Sequence, residues 1–229
     1  MKNLGFLNNN ALKWIALITM TIDHAGLLLF PGLRIMRTVG RLSFPIYAYL
    51  IAEGCRYTRD KKKYFLNIFG LGILCQIVYF IADRSLDMCI LITFSFSILV
   101  IYALQFARAS KNIFSYGLPA VATVGAIAIC YGIPKFFPEL GFSVDYGILG
   151  VAVPVFISLS DNKYIKLALG AFALSLLAWK SNDNQWFSLL ALIPLFFYNG
   201  ERGKMNIKTF FYLYYPLHLA VLWLIDIFI

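Results

Sequence analysis

The chain has 229 residues, of which 61% are hydrophobic and only 14% are charged, and its formal net charge is +9. A soluble domain carries about 25% charged residues, so this composition excludes a soluble enzyme. Apolar runs of membrane-spanning length recur along the chain, which predicts an all-α, polytopic membrane helix bundle forming a single integral membrane domain over residues 1–229. The basic residues lie in short loops between these runs, where they indicate membrane topology rather than binding to nucleic acid.

The apolar runs predict about nine transmembrane helices, since each crossing needs roughly 17 to 25 mostly apolar residues. The second and eighth spans are short. In the second, the uncharged run from Leu42 to Ala52 cannot cross about 30 Å of hydrocarbon, so its polar end should face protein or water. The predicted spans are Ala11–Phe30, Arg41–Tyr57, Tyr64–Ala82, Met88–Ala107, Ile113–Gly132, Ser143–Ser160, Tyr164–Trp179, Gln185–Tyr198 and Thr209–Ile229.

The first span carries two adjacent ionisable residues, Asp23 and His24. An ionisable group inside a membrane span costs at least a few kcal/mol, which favours a functional role. Adjacent helical residues are about 100° apart, so these two should line neighbouring faces. A carboxylate beside an imidazole can hold the base in one tautomer and stabilise its cation, although a polar pair that only fixes helix packing is the alternative.

The second span combines several polar residues with a proline. Arg41 lies at its start, Pro45 predicts a kink, and Glu53 is followed by Arg56 and Tyr57 at the i+3 and i+4 positions. Glu53 and Arg56 can therefore pair on one face of the helix. Such a pair near the end of a span is either structural or part of a binding site.

The sixth and last spans carry the remaining candidate polar residues. Asp145 opens the sixth span, where it could simply cap the helix. In the last span, Pro216 should loosen the helix because proline has no N–H to donate. Tyr214 and Tyr215 share a face with His218 by their i, i+3 and i+4 spacing. This pattern indicates either a polar, aromatic-lined site within the membrane or a core histidine whose hydrogen bonds are satisfied.

Successive loops are alternately rich and poor in lysine and arginine, which predicts the orientation of the chain in the membrane. The loop of residues 56–63, "RYTRDKKK", is the most basic, which places it and the N-terminus in the cytoplasm and the C-terminus outside. The outer segment "PGLRIMRTVGR" breaks this rule with Arg34, Arg37 and Arg41. Either the number of spans is off by one, a later signal overrides this loop, or these arginines serve a site.

Four segments in this order resemble the TraX family of membrane proteins: "KWIALITMTIDHAG", "GRLSFPIYAYLIAEGCRYTRDKKKY", "DYGILGV" and "FYLYYPLHLAVL". The named member of that family is linked to N-terminal acetylation of F-pilin during conjugation. TraX is in turn similar to the wider transmembrane acyltransferase group, which includes acyltransferase family 3. His24 matches the first-span histidine of that group and Arg41 its arginine, whereas the tandem-arginine motif is only partly present, as Arg37 and Arg41.

The resemblance implies an integral acyltransferase of the bacterial inner membrane that takes an acyl group, most simply acetyl, from cytoplasmic acyl-CoA. His24 would act as general base, oriented by Asp23 or Asp145, or would itself carry the acyl group. Arg41, Tyr215 and His218 would hold the thioester carbonyl as it becomes an oxyanion. The residues expected to bind acyl-CoA are Glu53, Arg56, Tyr57, Arg59, Lys61, Lys62 and Lys63, although the basic ones could equally be a positive-inside anchor.

The acceptor implied by the resemblance is an amine or hydroxyl of a peptide, glycan or lipid on the extracytoplasmic side. No metal is expected, because the four cysteines lack CxxC spacing and the two histidines lie on different helices. The oligomeric state is left open. Two other interpretations of the same polar residues are a proton-coupled small-molecule transporter and a non-catalytic membrane assembly protein.

The topology makes a direct prediction for the segment from Gly32 to Gly40, which should lie outside the cytoplasm despite its arginines. A cysteine introduced at Gly32, with the four native cysteines replaced, should react with a membrane-impermeant reagent in intact cells. Labelling that appears only after the membrane is broken would place this segment in the cytoplasm. The active site would then face inward, with Arg34 and Arg37 assigned to the phosphates of CoA.

Overall fold

The structure is a computed structural model that describes residues 5–110, 112–181, 183–204 and 208–228. These residues are mostly helical, which confirms the all-α prediction. Two short parallel strands, β1 (Asp87–Met88) and β2 (Ser143–Val144), pair with each other. The helices are α1 (Asn9–Leu28), α2 (Arg34–Gly40), α3 (Ser43–Tyr57), α4 (Lys61–Asp83), α5 (Ile90–Ser110), α6 (Gly117–Ile127), α7 (Ile133–Phe136), α8 (Gly147–Ser158), α9 (Lys163–Lys180), α10 (Leu192–Phe196) and α11 (Lys208–Phe228).

Several segments are not regular α-helix. Residues Ile113–Tyr116 and Pro138–Leu140 form short 3₁₀-helices, and Ala128–Gly132 forms a π-helical turn between α6 and α7. A longer 3₁₀-helix, Asp183–Ala191, leads directly into α10. Runs of 3₁₀-helix beyond three or four residues are uncommon and often mark strain or function, so this nine-residue segment is unusual.

Five helical segments among the described residues are long and apolar enough to cross a membrane, as expected for a membrane protein. They match the first, third, fourth, fifth and ninth predicted spans, the last of which was predicted to end at Ile229, outside the described residues. The other four predicted spans coincide with α3, α8, α9 and the Asp183–Phe196 region, which are shorter or more charged. Nine crossings therefore stay a prediction. The five segments are Asn9–Leu28, Lys61–Ile81, Ile90–Ser110, Ile113–Phe136 and Thr209–Phe228.

The described chain falls into two compact units. The first comprises Met1–Leu50 and Asn162–Ile229, so it joins the two ends of the sequence, and the second comprises Ile51–Asp161. Fully buried apolar side chains such as Leu12 and Leu174 form the core of the first unit, and Ile98 and Ile101 belong to that of the second. The single domain over residues 1–229 stays a prediction.

The arginine-bearing segment predicted as a loop contains a helix, α2. After a turn closed by the hydrogen bond from Leu33 N to Phe30 O, 2.9 Å, α2 runs back against α1. The expectation of a loop was wrong because α2 has only seven residues and is too short to register as a span. This helix places the arginines against α1 instead of leaving them in an irregular connection.

Two glycines allow α1 and α2 to approach each other closely. A Cβ atom on Gly26 of α1 would lie 2.6 Å from Cβ of Met36. A Cβ atom on Gly40 of α2 would collide with the side chain of Asp23. Larger residues at either position would therefore push the two helices apart.

We predict that Gly26→Ala and Gly40→Ala each lower the melting temperature of the protein purified in detergent. Overpacking of a tight contact typically costs about 1–3 kcal/mol. Gly32→Ala is the matched control, because no heavy atom lies within 4 Å of a Cβ built at Gly32. Equal melting temperatures for all three variants would contradict the close packing of α1 on α2.

Candidate functional site

The two histidines of the chain form a hydrogen bond with each other. Nδ1 of His24 on α1 lies 2.9 Å from Nε2 of His218 on α11, and the two residues are 194 positions apart in sequence. Their ring centroids are 5.1 Å apart. His218 is buried, with 6% of its surface exposed, whereas His24 is half-buried. Both residues belong to the first unit, and both were singled out from the sequence.

The backbone of α11 fixes the tautomers of this histidine pair. Nδ1 of His218 lies 3.0 Å from the carbonyl oxygen of Tyr214, which can only accept a hydrogen bond, so this nitrogen carries the proton. With both rings neutral, Nε2 of His218 must then accept the bond from Nδ1–H of His24. The remaining lone pair of His24 is on Nε2. This nitrogen can act as a base or a nucleophile.

Aromatic side chains of α11 surround His218. The ring of Tyr214 stacks on it at 5.2 Å between centroids with an interplanar angle of 6°, and Tyr215 packs edge-on at 5.6 Å and 71°. These contacts follow from the i+4 and i+3 spacing, since α11 continues through Pro216. Tyr215 is buried, with 9% exposed.

A second hydrogen bond joins α1 to α11 one turn from the histidine pair. The Thr21 hydroxyl lies 2.9 Å from the carbonyl oxygen of Leu17 and 2.8 Å from the Tyr214 hydroxyl. Because the Thr21 proton is used on the carbonyl, the Tyr214 hydroxyl is the donor to Thr21. No sequence pattern indicated the role of Thr21, because its hydrogen bonds depend on how the two helices pack.

Asp23 faces α2 instead of the histidine pair. Its Oδ2 lies 2.8 Å from Nη1 of Arg37, and the same nitrogen donates to the Asp23 carbonyl oxygen at 3.2 Å. Asp23 was predicted to orient His24, but the geometry does not show this. The hydrogen-bond partner of His24 is His218. The physical reason is the angle of about 100° between adjacent helical residues, which directs Asp23 and His24 towards different helices.

Arg41, the residue that directly follows α2, contacts the unusual 3₁₀-helix. Nη1 of Arg41 donates to Oε1 of Gln185 at 3.3 Å. One turn earlier, the Thr38 hydroxyl donates to Oδ1 of Asn184 at 2.8 Å. The sequence analysis did not identify these polar residues, Thr38, Asn184 and Gln185, as part of a site. A single hydroxyl or amide beside an apolar run has no characteristic spacing.

Asp145 lies in the second unit, where its main-chain groups hydrogen-bond to neighbouring residues. Its amide donates to the carbonyl of Met88 at 3.0 Å, and its carbonyl accepts from the Thr93 hydroxyl at 2.7 Å. The expectation that Asp145 caps the following helix was wrong. The helix begins later, at Gly147, and the capping position is taken by Tyr146 in a left-handed conformation with φ of 59°.

The residues expected to bind acyl-CoA also lie in the second unit. Glu53 is buried, with 5% exposed, whereas Tyr57 is 64% exposed. Nη1 of Arg56 pairs with Oδ1 of Asp161 at 2.9 Å, and Nζ of Lys61 lies 5.2 Å above the ring of Tyr102. Five exposed residues form a basic cluster: Arg56, Arg59, Lys61, Lys62 and Lys63.

The basic cluster surrounds the start of α4. Asp60 caps this helix, because its Oδ1 accepts from the backbone N–H of Lys63 at 2.9 Å. The lysine side chains are not needed for this cap. All three are exposed, so they can meet an anionic ligand or lipid headgroups.

Known proteins similar to this chain indicate its family. One relative, described as "Probable fimbrial assembly protein FimC, serogroup H1", comes from Dichelobacter nodosus and is 28% identical over 92% of each chain. An uncharacterized protein from Rickettsia prowazekii (strain Madrid E) is 30% identical over 70% of this chain and 59% of its own length. No solved structure matches the chain. The family model described as "TraX protein" matches residues 8–226, so the chain belongs to the TraX family.

Proposed function

We propose that this protein is an integral membrane acyltransferase that moves an acetyl group from acetyl-CoA to an amine or hydroxyl acceptor. The observation that carries the proposal is the hydrogen-bonded pair of His24 and His218, which leaves a lone pair on Nε2 of His24. Membership of the TraX family supports it. We place the enzyme in the bacterial inner membrane, with its N-terminus in the cytoplasm and its C-terminus and the acceptor outside.

The proposed reaction needs one base that first takes and then returns a proton. The acceptor nitrogen or oxygen attacks the thioester carbon while Nε2 of His24 removes the acceptor proton. The bond between carbon and sulfur then breaks, and the departing CoA sulfur receives this proton to give the free thiol. Positioned proton transfer of this kind contributes about 10²–10⁴-fold to the rate. In the covalent alternative the same lone pair attacks the thioester carbon, and the bond between carbon and sulfur breaks to release CoA as the thiolate. The acceptor then attacks the acyl-histidine and displaces the imidazole, and the acceptor proton passes to the CoA thiolate.

His218 takes the role that a carboxylate has in a histidine–carboxylate pair. Its Nε2 accepts from Nδ1–H of His24, which holds the ring of His24 and stabilises the imidazolium that forms at Nε2. The Tyr214 carbonyl keeps His218 in the tautomer that can do this. His218 is therefore a positioning residue for His24 in this proposal.

Asp23 and the arginines of α2 supply the charges of the proposed site. Arg37 pairs with Oδ2 of Asp23, and no described residue hydrogen-bonds to the buried Oδ1 of that carboxylate. We assign Oδ1 to a further N–H of an amine acceptor, one that His24 does not deprotonate, since a carboxylate accepts only. Arg41 and Tyr215 would stabilise the thioester oxygen as negative charge develops on it.

The basic cluster is the proposed site for the phosphates of CoA. Arginine and lysine suit this role because they offer positive charge and several N–H donors. The pair of Arg56 with Asp161 does not oppose it, since exposed ion pairs contribute only about 0–1 kcal/mol and can exchange for a phosphate contact. Glu53 and Tyr57 would complete this binding region.

A second candidate function is a non-catalytic role in assembling a surface fibre. The printed description of the relative from Dichelobacter nodosus as a fimbrial assembly protein favours it. A pilus subunit acetylated at its N-terminus would unite the two candidates.

Purified protein that binds and slowly hydrolyses acetyl-CoA supports the enzyme. Mass spectrometry of membrane proteins, peptides and glycans, comparing cells with and without the protein, should find one acetyl group lost.

We predict that His24→Ala lowers acetyl transfer by about 10²–10⁴-fold, because it removes the base. His218→Ala should have a smaller effect, since it removes only the partner of that base. His218→Gln should keep more activity than His218→Ala, because the Gln amide can accept from His24 and donate to the Tyr214 carbonyl. Rates are measured with purified variants whose melting temperatures match the wild type. Full activity in folded His24→Ala protein would eliminate His24 as the base.

We also predict that replacing Lys61, Lys62 and Lys63 together by Gln raises the KM for acetyl-CoA and flattens its dependence on salt. Exposed charges act through solvent and are screened by ions, so their contribution disappears at high ionic strength. The matched control neutralises Arg202 and Lys204, two exposed charges outside the basic cluster. An unchanged KM together with altered membrane orientation would identify the cluster as a topological anchor.

A further inference from the structure

Two buried polar side chains of the 3₁₀-helix Asp183–Ala191 have hydrogen-bonding groups that the protein does not use. Gln185 is 2% exposed and Ser188 is fully buried, at 0%. Among the described residues, none hydrogen-bonds to Nε2 of Gln185 or to Oγ of Ser188. A buried donor left without a partner is costly, and native proteins rarely keep one without a reason. These two groups are therefore candidates for binding a molecule that the protein itself does not supply.

The contact with Arg41 determines which end of the Gln185 amide is available. A guanidinium group can only donate, so the oxygen of the amide must face Nη1 of Arg41, as it does at 3.3 Å. Nε2, which carries two protons, is directed elsewhere. The hydrogen bond from Thr38 to Asn184, 2.8 Å, holds the same end of the 3₁₀-helix against α2. The donor is thus held in place by two contacts, one with Thr38 of α2 and one with Arg41, which directly follows α2.

The spacing of Gln185 and Ser188 puts both groups on one face. A 3₁₀-helix has three residues per turn, so side chains at i and i+3 are eclipsed. An α-helix would separate the same two residues by about 60° around the axis, because its turn has 3.6 residues. The rare nine-residue 3₁₀ conformation therefore places the side chains of Gln185 and Ser188 on the same face of the helix.

We infer that Gln185 and Ser188 form a binding site for a carbonyl oxygen of a bound substrate, with Nε2 and Oγ–H as its two donors. Two donors beside the cation of Arg41 select an acceptor atom and disfavour an amine or ammonium group. The adjoining apolar side chains, Ala191 at 0% and Leu195 at 2% exposed, favour a neutral carbonyl over a fully charged anion. The inference rests on the proposed function, in which the carbonyl belongs either to the acetyl thioester or to an amide group of the acceptor.

The test compares Ser188→Ala and Gln185→Glu with wild-type protein in detergent. Ser188→Ala removes one donor and no hydrogen bond within the described protein. Gln185→Glu keeps an oxygen for Arg41 and replaces the donor with an acceptor. The matched control is Ser95→Ala, a serine 1% exposed whose hydroxyl is satisfied by the Leu91 carbonyl at 2.7 Å. We expect kcat/KM to fall about tenfold or more in both test variants, whereas melting temperatures and the control stay near wild type.

Two pairs of probes identify the source of the carbonyl. If it is the thioester, Ser188→Ala weakens binding of acetyl-CoA and leaves binding of CoA unchanged, and it slows transfer to ethylamine and glycinamide equally. If it belongs to the acceptor, binding of acetyl-CoA is unchanged and only transfer to glycinamide, which has a carbonyl, is slowed. Either pattern supports the site.

The result that overturns the inference is wild-type activity in Ser188→Ala and Gln185→Glu, which would leave the two donors to packing or to a buried water. A fall in melting temperature of Ser188→Ala that accounts for its loss of activity would overturn it as well. Both results differ from failure of the proposed function, in which the wild-type protein itself neither binds nor hydrolyses acetyl-CoA.

Discussion

The hydrogen bond between His24 and His218 is the interaction on which the rest of the site depends. It connects α1 with α11, near the two ends of the sequence, and its direction is set by the backbone carbonyl of Tyr214. That carbonyl forces His218 to accept and His24 to donate, which leaves the lone pair of His24 on Nε2. The bond between Thr21 and Tyr214 holds the same two helices one turn away, so the pair does not rely on a single contact.

Helix α2 supplies the polar partners that make a charged site possible among apolar helices. A charge without a partner is costly in apolar surroundings, so a carboxylate among apolar helices needs a charged or hydrogen-bonding partner. Arg37 neutralises Asp23, and Arg41 and Thr38 bind the amides at the start of the 3₁₀-helix. This accounts physically for two of the three arginines that oppose the expected charge bias of their segment. Arg37 and Arg41 are held by specific partners in the first unit, so they have a structural role in addition to any effect on topology.

Three observations support the proposed acetyl transfer. They are membership of the TraX family, a relative described as a fimbrial assembly protein, and the imidazole of His24 held by His218. In this scheme the first unit carries the reacting groups and the second carries the basic cluster for CoA. The division explains why substitutions in the two units should act differently, on the rate of transfer in one and on the affinity for acetyl-CoA in the other.

The sequence by itself determined the helical membrane class, because hydrophobicity over a length of about 20 residues depends only on local composition. It also determined the faces of single helices: the divergence of Asp23 from His24 and the common face of Tyr214, Tyr215 and His218 follow from helical geometry. The tertiary structure alone decided which of these groups meet. His24 was expected to have a carboxylate partner and has His218, a contact across 194 residues that no local pattern encodes. Gln185 could not be identified from the sequence for the same reason, that local patterns do not encode long-range contacts. Its N–H donor is seen to be unused only once the neighbours packed around it are known.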